Sequence, residues 1–150
     1  MSFQNLTPTW ADQPLTTPGA AADVVDLMVS LGDRQRGTFA VLLCDPDDYY
    51  RATVTIDLPS EFEHLSHTLD TAGLCSSALS PIVTAVRTAP GTGMILALGR
   101  PGPAGRSELD DQWARAATAI CQAADIRLLG FYIATSEGVH QPTIAHRQAA

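Results

Sequence analysis

Residues 93–135 constrain the fold more than any other stretch. Met94, Ile95, Leu96, Ala97 and Leu98 form a short continuous apolar run bounded by glycines, as a strand buried on both faces would be. Gly99, Arg100, Pro101, Gly102, Pro103, Ala104, Gly105 and Arg106 follow, and that Gly/Pro content excludes a helix or a central strand. Ser107 then stands three residues before Asp110, the spacing of a capping box. Leu109, Trp113, Ala116, Ala117, Ile120, Cys121 and Ala124 recur at helical spacing and predict one apolar face. Residues 126–135 are a second apolar run, closed by Ser136, Glu137 and Gly138. The stretch therefore reads as strand, crossover helix, strand. The loop at its first strand's C-terminal end is the place where α/β proteins bind ligands.

The rest of the chain is read around this unit. Residues 1–20 are rich in Pro and Thr and predict an irregular arm, with Trp10 expected to dock on the domain. Residues 21–31 predict a short helix ended by Gly32, followed by a polar turn over 33–37. Residues 38–44 are continuously apolar, and 51–58 alternate apolar and polar. With Asp45, Pro46, Asp47 and Asp48 between them, they predict a hairpin. Ser80 and Pro81 resemble a cap and first helical residue for a helix facing inward through Ile82, Val83, Val86 and Ala89. Residues 139–142 predict a short return strand. The expected organisation is an arm (1–20), one domain (21–142) and a tail (143–150). The fold class is α/β: a mixed sheet with an N-terminal hairpin, flanked by two to three helices.

Composition limits the partners. A net charge of −7 opposes a broad nucleic-acid footprint, which needs a basic face. Every cation other than His is Arg, and Arg34, Arg36, Arg100 and Arg106 could still gather into a local basic patch. Abundant Ala, Gly and Pro with no Lys suggest a GC-rich genome. Cys44, Cys75 and Cys121 are widely spaced and without a CxxC pair, so free buried thiols are expected. There is no basic N-terminal stretch followed by an apolar segment and no run of about 18 apolar residues, so a cytoplasmic protein is expected, with no membrane partner.

Four constellations could carry chemistry. The Gly-rich loop entering a helix at Ser107 could offer backbone N–H groups to an anion, with Arg100 and Arg106 adding charge. Glu108, Asp110 and Asp111 oppose that, and no phosphate-loop motif is present. Asp110 and Asp111 have a sufficient structural role at the positive end of a helix dipole. His64, His67 and Asp70 would share a helical face as weak metal candidates, although their spacing is not that of a zinc site. No nucleophile elbow accompanies the Cys and Ser residues, and Asp45 beside Cys44 opposes a thiolate.

The order of elements around 93–135 resembles the JAB/MPN (JAMM) zinc hydrolases, in particular their RadC-like branch. The resemblance rests on Leu98-Gly99-Arg100-Pro101, on Ser107 and Asp110, and on Leu128-Leu129-Gly130. It implies a cytidine-deaminase-like α/β architecture and a zinc held by two histidines and an aspartate. Leu98 and Arg100 stand where the histidines belong. The family's spacing selects Asp111 as its aspartate, while its serine pattern selects Asp110. The hairpin strand carries no Glu to activate a zinc-bound water. A degenerate member is expected, without zinc or catalysis, binding a protein or small anionic ligand through Arg100, Arg106, Ser107, Asp110 and Asp111. The competing expectations are a small-anion or nucleotide binder and an enzyme with a non-zinc constellation.

Overall fold

The computed structural model describes residues 6, 8–58, 71–102 and 108–142. Helix α1 (Pro18–Met28) starts inside the stretch expected to be irregular. Thr17 is its cap, accepting from the Ala20 N–H at 3.2 Å, and Pro18 supplies a preset φ. Upstream, a 3₁₀ turn (Trp10–Asp12) sets the Trp10 ring on Tyr50, with centroids 5.3 Å apart. Leu15 is buried and its N–H donates to the Asp48 carbonyl, so this part of the arm is packed into the fold.

Gly32 does not end the first helix. The helix stops at Met28, and Ser30 caps a second one, α2 (Leu31–Arg36), by accepting from Asp33 N–H at 3.1 Å. The expected polar turn is therefore helical. Its end is Gly37, whose φ of 91° favours glycine.

Strand β1 (Thr38–Cys44) is buried at all but one position and pairs antiparallel with β2 (Tyr50–Asp57) through the Asp45–Asp48 turn. Helix α3 (Thr71–Val86) begins about ten residues before the expected start. Pro81 lies inside it rather than at its first turn. Strand β3 (Gly93–Gly99) is buried throughout. Helix α4 (Glu108–Ala123) carries the apolar stripe, and strand β4 (Arg127–Thr135) follows after Asp125, whose positive φ of 57° ends the helical run. Strand β5 (Gly138–His140) returns antiparallel to β4.

The sheet order is β2-β1-β3-β4-β5, with only β3 and β4 parallel, so the crossover unit is the parallel part of a mixed α/β sheet. Alternate residues of the central strands enter two cores. Phe39, Val41, Met94, Leu96, Leu98, Phe131 and Ile133 pack with Trp113, Ala117 and Leu79 of α4 and α3. Ala40, Leu42, Ile95, Ala97, Tyr132 and Ala134 pack with Val24, Val25 and Val29 at α1. Three layers result, and the strand ends of β3 and β4 are left at one end of the molecule. No helix among the described residues is long and apolar enough to cross a membrane.

Candidate functional site at the C-terminal end of β3

Strand β3 delivers Arg100 to the helix that follows. The Arg100 N–H donates to the Ala134 carbonyl at 3.0 Å, which extends pairing with β4 by one residue. Its side chain turns to the first turn of α4. Nε meets Asp110 Oδ1 at 2.7 Å and Nη2 meets Oδ2 at 2.8 Å, a two-pronged charge-assisted contact. Nη1 donates to the Pro101 carbonyl at 3.1 Å. The side chains are 6% and 4% exposed, so water competes little with the pair. Asp110 lies on the buried face of α4, whereas Asp111, the next residue, is half-buried.

Two more groups gather at this end. His140 on β5 is half-buried, and burial holds its pKa below the usual imidazole value. Nearby Asp110 opposes that shift and Arg100 adds to it. Arg34 of α2 is buried beside Gly99 and donates through Nη1 to the Thr135 carbonyl at 2.9 Å. A Cβ on Gly99 would meet the Thr38 methyl at 2.8 Å, so this end has no slack for a larger residue.

The expected site is therefore reshaped. Arg100 is a buried strut between β3 and α4 rather than an outward cation. Arg34 is likewise internal, and Arg36 pairs with Asp33 on the surface, so the expected basic patch does not form from these three. Arg106, Ser107, His64, His67 and Asp70 lie outside the described residues. Zinc does not fit the side chains placed here. Leu98 is fully buried in the core, and both Asp110 oxygens accept from Arg100. No group of three His, Cys, Asp or Glu side chains among the described residues could hold a metal ion.

Local sequence offered Arg34 only as a member of a basic patch, with no sign of its burial, and gave no sign of His140 as part of this end. Arg34 sits in a polar run, and its acceptor Thr135 is 101 residues away. His140 is placed by the β4–β5 pairing. The other end of the sheet carries a cleft of about 360 Å³, lined by Arg87, Thr92, Asp125 and Arg127 among others. Arg127 is committed there to the Gly91 carbonyl at 2.8 Å and to Asp48 Oδ1 at 2.8 Å. Comparison with family models, with characterised proteins and with solved structures finds no match to this chain.

Proposed function

We propose that the chain is a non-catalytic binding or scaffold module, the role that the JAB/MPN resemblance implies for a member without the histidines. The observation that carries this reading is the buried Arg100–Asp110 pair. A hydrolytic centre at this strand end needs accessible polar groups whose lone pairs or protons are free to act. The two groups best placed by topology hold each other instead, and they fix the start of the loop after β3. The module's contact surface is the rim around that strut, including Pro101, Asp111 and His140, and its partner is a protein.

A small anion is the weaker alternative. The Arg100 donors meet Asp110 and the Pro101 carbonyl, and Glu108, Asp110 and Asp111 in the first turn of α4 repel negative charge.

Two measurements test the reading. Purified protein supplied with zinc and a panel of peptide and isopeptide substrates is expected to show no turnover above buffer. Turnover that Asp110→Asn abolishes would overturn the non-catalytic role. A photo-crosslinking residue at position 101 is expected to trap a defined protein partner in cells, and one at exposed position 87, at the opposite end of the sheet, is not. Equal trapping at both positions, or none at 101, rejects the rim as the contact surface.

A further inference from the structure

We propose that two copies of this chain associate through antiparallel pairing of their β2 strands, centred on Val54. The sheet order leaves β2 at an edge, where the described residues pair only its β1 side. The Leu58 N–H donates to Gly37 O, and the Thr38 hydroxyl donates to Ile56 O, so the backbone of 56 and 58 faces β1. By ladder alternation, the N–H and C=O groups of Thr53, Thr55 and Asp57 face away from the sheet. The strand is long for an edge and carries no Pro and no charge between Ala52 and Ile56. Ala52, Val54 and Thr55 are exposed, Val54 at 38%. Such a row of unpaired backbone groups is a template for a further strand.

The side chains select the partner and the register. A two-fold axis at Val54 sets Val54 against Val54, Ala52 against Ile56, Thr53 against Thr55 and Arg51 against Asp57. Outward-facing residues then meet outward-facing residues, so Thr53 and Thr55 can exchange ladder bonds with their counterparts. Every cross-strand pair is favourable: apolar with apolar, Thr with Thr, cation with carboxylate. Sliding by two residues either way separates Arg51 from Asp57. The strand is thus complementary to itself in one register, which a heterologous partner has no reason to match. The ladder irregularity between Leu43 and Cys44 lies opposite Arg51, so the regular part runs from Ala52 to Asp57 and Arg51 acts through its long side chain. That side chain is 66% exposed and holds Asp45 through Nε and Nη2, while Asp45 also accepts from the Asp47 and Tyr49 N–H groups. Pairing of like patches about one axis closes after two copies, so it gives a dimer and not a fibre.

The test is molecular mass by light scattering across a concentration series. The wild type is expected to reach twice the chain mass. Thr55→Pro removes an outward N–H that pairs with none of the described residues of the monomer and is expected to give the single-chain mass with an unchanged far-UV spectrum. Arg51→Glu and Asp57→Arg each place like charges opposite one another and are expected to weaken association about tenfold or more. Mixing these two variants restores both opposite-charge contacts, so the mixture is expected to regain the double mass. A wild type that stays monomeric at every concentration, a Thr55→Pro dimer, or a mixture no heavier than its parts would each overturn the proposal.

Discussion

Cys44, Cys75 and Cys121 are all buried and free, and their surroundings make them poor nucleophiles. Burial pushes Cys44 up to about 11, with Asp48 and Asp45 adding to the rise and Arg127 opposing it. Burial likewise raises Cys75 to about 12 and Cys121 to about 11. At pH 8 the thiolate fraction falls about two to three orders of magnitude below that of a free cysteine, before steric access is counted. The folded protein is therefore expected to give almost no reaction with a disulfide reagent at pH 8, and three equivalents after unfolding. A rapid native equivalent would mean that one thiol is reachable and activated. The Asp45 contribution is legible in the sequence because it is the next residue. Asp48 and Arg127 are not, since the turn and β4 bring them there. Arg100 shows the same boundary: its loop position is legible, whereas its burial depends on α4 folding back. Arg100→Ala leaves Asp110 buried without its cation and is expected to cost about 3–5 kcal/mol in urea unfolding. A cost below about 1 kcal/mol would mean that water reaches Asp110 freely.

At the scale of elements, apolar runs and periodicity were sufficient for β1, β3, β4 and α4, because burial on both faces or on one helical stripe leaves a local signature. Punctuating residues misled. Gly32 lies in the first turn of α2, where a helix tolerates glycine because tertiary contacts hold the segment. Pro81 lies deep in α3, so the peptide there has no N–H to offer the Ser77 carbonyl. The helix persists because its inner face packs under Trp113 and its neighbours: Cys75 and Leu79 belong to that core. Ser80 O accepts from the Thr84 hydroxyl at 3.0 Å in the following turn. Since Pro81 is exposed, its ring adds little packing. Pro81→Ala is expected to raise unfolding free energy by about 1–3 kcal/mol, read as a higher urea midpoint with an unchanged slope. A fall in the midpoint would show that the Pro kink shapes the α3–α4 contact.

Over the whole molecule, arginines tie together segments that the sheet alone leaves separate. Arg127 joins the start of β4 to the β1–β2 turn and the α3–β3 turn, Arg100 joins β3 to α4, and Arg34 joins α1, α2 and the end of β4. This use of cations is invisible in composition, where nine Lys and Arg against sixteen Asp and Glu suggest only an acidic surface. The geometry also explains why these positions suit arginine. Arg34 donates from Nε to Val29 O at 2.9 Å, from Nη1 to Thr135 O at 2.9 Å, and from Nη2 to Asp26 O at 3.0 Å and Asp26 Oδ1 at 2.9 Å. A planar fork reaches these acceptors in different directions, whereas a lysine has one nitrogen at one point. Arg34→Lys keeps the charge and strands at least one buried carbonyl, so a loss of about 2–4 kcal/mol is expected in denaturant unfolding. Because the Arg34 side chain is only 4% exposed, added salt should not shrink that loss, unlike the loss from Arg51→Lys at the surface. An Arg34→Lys protein of wild-type stability would show that charge alone suffices there, and that the α1–β4 junction is held by its apolar contacts.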